Sequence, residues 1–405
     1  MMGAAMLLLL LSPGPGAPSP DAPKPAADLK GSPVVAAINR LAIDLFREVR
    51  TPSSNVAISP ASLAPAIAMT YEGARGRTAE EIARVFHFPD DREAMRRDFR
   101  ALIRHWGAAG GPHGLVAGSS LWGQMGIEFR TEYVHLLSNS YGASLRVVNF
   151  RGNPDPARKA INAWVDGMTD HVISELLAPG VITPDTNLVL ANAIAFKAKW
   201  SHEFRHEATR PEDFHVAPGK TVKVPMMRQG EELAFAETDD MQMVQMPYRG
   251  GDFAMVVVLP KRSDGLDAVE KALTAEGLDG WVAKSERRDV ILSLPKFRAE
   301  ASLDLARPLA GLGMKAAFTP SADFSGISEN DPLWISSVIH QAVVKVDEEG
   351  TEAAAATAVV AAGAEKRPER KPPVEFKVDH PFLYVIRDVS TGVCLFLVHV
   401  VDPSW

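Results

Sequence analysis

Cysteine is almost absent. Cys394 is the only one in 405 residues, so no internal disulfide, CxxC redox pair or cysteine zinc cluster can form. It lies in the apolar run 393–401 and reads as a small buried thiol, not a reactive one. Long apolar runs are missing too, because the stretch at residues 6–11 is too short to span a bilayer, which argues against stable membrane insertion. There is no glycine-rich phosphate loop and no GxSxG elbow. A basic field is also lacking: 43 Lys and Arg against 50 Asp and Glu give a formal charge of -7. A nucleic-acid role would therefore need a local basic stripe. The one dense cluster, Lys366, Arg367, Arg370 and Lys371, is interleaved with prolines and has no aromatic neighbours for base stacking, so it reads as solvated loop.

What is present is enough apolar material, 46% of the residues, to bury a substantial core. Residues 6–11 resemble the apolar part of a secretory signal, although no Lys or Arg precedes them; export, to a secreted or extracytoplasmic location, is the expectation. Residues 12–30 are rich in Pro, Ala and Gly and read as a linker. The expected organisation is a leader and linker over 1–31 and one domain over 32–405. Val34, Ile38, Leu41 and Leu45 repeat at helical spacing, and Ile161, Trp164, Val165, Met168, Val172 and Leu176 predict a second amphipathic helix over 162–177. Strand signals dominate later, at 253–259, 290–294, 343–346 and 394–401. Helices mostly first and strands mostly after argue an α+β architecture.

One catalytic pattern must be weighed. His202-Glu203-Phe204-Arg205-His206 matches HExxH, which on a helix aims two imidazoles at a zinc ion with the glutamate as base. Pro211 leaves little room for that helix and no third ligand follows at a familiar spacing, so the sequence implies no metal and no cofactor.

The strongest feature is the run Glu348-Glu349-Gly350-Thr351-Glu352-Ala353-Ala354-Ala355-Ala356-Thr357. Propensity alone would make its alanines helical. The run instead resembles the hinge of the reactive loop in inhibitory serpins. Other stretches resemble the same family in order: Asn55, Ser59, Pro60, Ser62 and Leu63; Gly73, Gly76 and Thr78; Asn192, Phe196, Lys197, Lys199, Trp200, Phe204, Thr209 and Phe214; Leu294-Pro295-Lys296-Phe297; Ala322 to Ile327; and His380-Pro381-Phe382. Trp200, Phe204 and Thr209 thereby absorb the HExxH match, leaving its histidines as spacers. Val398 departs from the family's usual glycine, and the loop before His380 is several residues longer than in familiar members.

The resemblance implies a single α+β domain, helices packed on three mainly antiparallel sheets, with an exposed reactive loop over about 348–373. It implies a monomeric, non-enzymatic inhibitor that serine endopeptidases cleave as a suicide substrate; the alternative is a non-inhibitory serpin that binds a ligand or acts as a chaperone. Inserted as a strand, the hinge would place Thr351, Ala353, Ala355, Thr357 and Val359 on one face, with Glu352 on the other. Ser59, Ser62, Asn192 and His340 would form a polar cluster beneath the opening sheet, and Trp200 would stand near the point of first insertion. Counting forward from the hinge places the scissile residue at Ala364, before Glu365, which suits an elastase-like or subtilisin-like pocket. Counting back from His380 gives Arg370, which suits a trypsin-like one. Lys366 is a further candidate, and the forward count is favoured.

Overall fold

The computed structural model describes residues 26–110, 114–351 and 371–404. The leader at 6–11, most of the linker, and the loop from Glu352 to Arg370, including Ala353 to Thr357, Ala364, Glu365 and Lys366, lie outside them.

The opening helix, Pro33–Val49, starts where the sequence directs it: proline occupies the first turn, and the Ser32 hydroxyl accepts the Val35 N–H at 3.3 Å. Its Val34, Ile38, Leu41 and Leu45 face is buried. Helix Pro60–Gly73 is buried on every side. It packs against both sheets, touching strand Cys394–Val400 of one and strands Leu188–Phe196 and Leu115–Gln124 of the other. Among the described residues no helix is long and apolar enough to cross a membrane.

The second expected helix ends early. It spans Pro154–Met168, and the chain turns away at Asp170 and His171, both with positive φ. The Thr169 hydroxyl, 2.9 Å from the Val165 carbonyl, accepts the Ile173 N–H and closes that turn. Leu176 is still buried, in a second apolar cluster with Ile161 and Val165, so the apolar spacing persisted past the helix that it predicted.

Two hydrogen-bonded sheets form among the described residues. The nine-stranded sheet runs Val56–Ile58, Cys394–Val400, Phe382–Asp388, Phe253–Pro260, Met241–Pro247, Lys220–Glu237, Glu286–Pro295 and Val374–Lys377, with Arg210–Ala217 paired to Lys220–Glu237. Strand Lys220–Glu237, 18 residues long, pairs with three neighbours along its length and so joins what the family resemblance counts as two separate sheets. The seven-stranded sheet runs Leu145–Val148, Leu115–Gln124, Leu188–Phe196, Ile335–Val346, Gly350–Thr351 and Ala198–Lys199, with Phe297–Asp304 also paired to Ile335–Val346.

Within the seven-stranded sheet, Leu188–Phe196 and Ile335–Val346 run parallel, with His340 directly beside Asn192 and Val344 beside Phe196. Such a pair cannot be joined by a hairpin; the long intervening chain makes the crossover. The two strands face the main core with Leu190, Ile194, Phe196, Val338, Ala342 and Val344. Ala191, Ala193, Ile339 and Val343, on the opposite face, join the smaller cluster beneath helix Pro154–Met168. Cys394 is buried as expected: its Sγ lies 3.6 Å from the Phe396 carbonyl, and burial pushes the thiol up to about 12, which keeps it unreactive.

Candidate functional site

Strand Ile335–Val346 ends in a tight turn. The Asp347 carboxylate accepts the N–H groups of Glu349 and Gly350 at 3.1 and 3.3 Å, and the Asp347 N–H donates to the Gly350 carbonyl at 2.9 Å. The chain thereby reverses, and Gly350–Thr351 lies between Ile335–Val346 and Ala198–Lys199, antiparallel to both. Only glycine fits at 350: a Cβ there would stand 2.2 Å from the Ala198 carbonyl oxygen.

Thr351 is fully buried, and its hydroxyl meets the Tyr248 hydroxyl at 2.8 Å. Trp200 stacks on Tyr248 with ring centroids 4.5 Å apart. Its indole N–H donates to the Asp347 carbonyl and its backbone N–H to the Glu349 carbonyl, each at 3.0 Å. Trp200 thus holds the turn through both its ring and its backbone.

Glu348 is buried and takes Lys296 Nζ at 2.6 Å and the Thr209 hydroxyl at 2.8 Å. Burial alone would raise its carboxyl, but these bonds outweigh that and hold it below the ordinary glutamate range. Glu349 faces Lys199 at 3.8 Å. His206 lies 3.6 Å from Glu348 and 3.9 Å from Glu349, whereas His202 faces Glu231 at 3.8 Å. The two imidazoles of the HExxH match therefore address different carboxylates, and only His206–Ala208 in that segment is helical, as a single 3-10 turn. No group of three His, Cys, Asp or Glu side chains that could hold a metal ion occurs among the described residues.

Deeper in the sheet, Ser59, Ser62, Asn192 and His340 form one buried network, which Ser119 joins. The Ser59 N–H donates to His340 Nε2 at 3.0 Å, so the neutral ring carries its proton on Nδ1 and donates it to Asn192 Oδ1 at 2.7 Å. The Ser62 hydroxyl donates to the same Oδ1 at 2.8 Å. Asn192 Nδ2 donates to the Ser62 carbonyl at 3.0 Å and to the Ser119 hydroxyl at 2.9 Å. The Ser59 hydroxyl donates to the Leu395 carbonyl at 2.6 Å, tying the network to the other sheet. Burial pushes the His340 imidazole down to about 4, so it is neutral at pH 7.

The four predicted cluster residues are therefore in mutual contact, and Trp200 with Glu348 to Thr351 makes a second group above them. Sequence reasoning missed Tyr248 and Ser119. Tyr248 is one of only five tyrosines, and nothing local ties it to a threonine 103 residues away.

A family model described as Serpin (serine protease inhibitor) matches residues 36–403. An uncharacterized serpin-like protein of Thermococcus kodakarensis is 42% identical, over 92% of this chain and 86% of its own length. The leukocyte elastase inhibitor of Bos taurus is 39% identical, over 91% of this chain and 99% of its own. Among solved structures, uncleaved ovalbumin superposes with a TM-score of 0.82 at 27% identity, covering 91% of this chain and all of that one. A family model that matches nearly the whole folded body, with relatives about 40% identical over nine-tenths of the chain, has one reading: this protein belongs to the serpin family.

Proposed function

We propose that this serpin inhibits serine endopeptidases as a suicide substrate, its loop over about 348–373 serving as bait and then inserting into the seven-stranded sheet. The observation that carries this reading is the seating of Gly350–Thr351 between Ile335–Val346 and Ala198–Lys199, just beyond the point where Ile335–Val346 pairs with Leu188–Phe196, the strand that leads into Ala198–Lys199. Thr351 stands opposite Val346 on one side and Ala198 on the other. Each further residue of the loop would step back by one along both neighbours. Ala353 would then fall between Val344 and Phe196, Ala355 between Ala342 and Ile194, and Thr357 between His340 and Asn192. These flanking pairs are the partners of the existing parallel ladder. An inserted strand would thus replace one parallel ladder by two antiparallel ones, adding hydrogen bonds and buried area.

The register also accounts for the side chains. The inward positions carry alanine, threonine or valine, which fit a core lined by Phe196, Ile194 and Val344. Glu352 would fall on the outer face between Lys197 and Lys345, where its charge is matched. The native fold is then a kinetically trapped state above a more stable one. A protease that forms its acyl-enzyme on the loop is carried off and distorted before water releases it. Ser59, Ser62, Asn192, His340 and Trp200 act in the opening of the sheet.

The favoured scissile residue is Ala364, with Glu365, Lys366 and Arg370 as the other candidates, and elastase-like or subtilisin-like enzymes as the partners. The elastase inhibitor among the relatives supports that choice. Residues 1–31 act as leader and linker, and export rests on residues 6–11 alone. Incubation with elastase, subtilisin and trypsin, followed by denaturing electrophoresis, tests the reading. A covalent complex is expected with elastase or subtilisin; cleavage of the loop with no complex by any of the three would overturn it.

A further inference from the structure

We propose that a cavity beside the edge of the seven-stranded sheet binds a small amphipathic monocarboxylate, with Arg146 holding the carboxylate at the mouth. The cavity has a volume of about 370 Å³ and lies among helices Pro60–Gly73, Arg92–Gly110 and Pro154–Met168 and strand Leu115–Gln124. That volume suits one small ligand, and its walls have the apolar, aromatic character of ligand sites: Met69, Ile103, Trp106, Leu115, Trp164 and Ile194.

Strand Leu145–Val148 pairs only with residues 121–124 of its neighbour. Among the described residues no strand pairs with the edge over 115–120 on that side, and Leu115, Gly118 and Ser119 line the cavity there. Gly118 keeps that edge close to the helix, since a Cβ there would come within 3.1 Å of Met168 and 3.3 Å of Trp164. The exposed lining residues Gly107, Gly142, Ser144, Arg146 and Met168 mark the opening.

Among the described residues Arg146 is the only charged one of the lining. Its guanidinium sits over two indoles, 5.5 Å from Trp122 and 5.8 Å from Trp164, and it makes no ion pair with any carboxylate of the described residues. Two rings fix the direction of a cation that no carboxylate of the described residues pairs, at the rim of an apolar hole. A ligand with an apolar body and a single carboxylate matches both parts. A dianion would leave one charge facing apolar walls, and a neutral hydrocarbon would leave the arginine unused. At the inner end the cavity is lined by Ser62 and Ser119, whose hydroxyls hold Asn192. The bound molecule would therefore touch the polar network beneath the sheet.

Octanoate and octan-1-ol, which share an apolar chain and differ in charge, are the probes. Each is titrated into the full chain by calorimetry and by tryptophan fluorescence, which Trp106 and Trp164 should report. Neither readout depends on protease inhibition, so this site and the proposed inhibitory function stand or fall separately. The wild type should bind octanoate at least tenfold more tightly than octan-1-ol. Arg146→Gln, an exposed change that leaves the fold intact, should abolish that difference while leaving octan-1-ol unaffected. Ile103→Trp, or Leu115→Trp should the first fail to fold, should weaken both ligands by filling the cavity. Equal affinities in the wild type, octanoate binding indifferent to Arg146→Gln, or binding of both probes that survives the filled cavity would each overturn the proposal.

Discussion

The hydroxyls of Thr351 and Tyr248 meet at 2.8 Å in a fully buried site, and the bond fixes the second of the two residues, Gly350 and Thr351, that are seated in the sheet. Removing one partner leaves the other buried and unpaired. Tyr248→Phe should therefore lower unfolding stability by about 1–3 kcal/mol in a urea titration. Adding Thr351→Val removes the orphaned hydroxyl and should restore most of the loss. A double variant as unstable as the sum of the single ones would show that the bond is not what matters there.

Because Thr351 is already seated in the native protein, a charge placed there would disturb folding as well as insertion. Thr357 is the better probe. Thr357→Arg would set a guanidinium between His340 and Asn192, and burying it unpaired would cost several kcal/mol. The variant should be cut by the target protease and release it, with native stability unchanged within about 0.5 kcal/mol. Undiminished covalent complex would refute the register.

Cutting the loop anywhere between residues 358 and 373 should raise the melting temperature, the reverse of what nicking ordinarily does. Calorimetry before and after limited proteolysis measures this directly. A melting point that stays or falls would mean that the ladder between Leu188–Phe196 and Ile335–Val346 does not open.

The position of the cut can be read from the peptide released on denaturing the trapped complex. Mass spectrometry should find a fragment that starts at Glu365. One starting at Lys371 would move the scissile residue to Arg370 and the target to a trypsin-like enzyme.

His340 makes stability depend on pH in a definite direction. Its folded pKa, about 4, lies below the ordinary histidine value of 6.5, so the unfolded chain takes up its proton first as pH falls. The contribution is fully present above 6.5, declines below it, and is lost once pH passes about 4. The total is about 3 kcal/mol by the linkage relation. His340→Gln should be less stable at pH 7 yet show a shallower decline between pH 6.5 and 4 in denaturant titrations. Parallel curves would place the proton elsewhere.

Much of the fold is legible in the sequence. The opening helix declared itself through its capping serine, its proline and its apolar spacing. Periodicity failed at residues 169–177 because burial, and not helical geometry, maintains the apolar spacing there; the Thr169 turn carries Leu176 to the same core by another route. The HExxH match failed for the complementary reason, since spacing along a chain says nothing of direction once the helix is missing. Tyr248 and Ser119 stayed hidden because their partners are distant in sequence, and a hydroxyl pair leaves no periodic trace. The same holds for Glu348 with Lys296, two residues that the family pattern placed without saying that they touch.

Starting a new strand is ordinarily the slow part of sheet growth, since several dihedrals must be fixed before the first pairing is gained. In this protein Gly350 and Thr351 have already met that requirement on both sides. Under the proposed mechanism, insertion from such a primed end would be propagation without nucleation, with its speed governed by how fast each successive rung between Leu188–Phe196 and Ile335–Val346 gives way. The race against deacylation would then be timed by the rungs next to the primed end, Val344 with Phe196 and Ala342 with Ile194, before the loop ever reaches the His340 network.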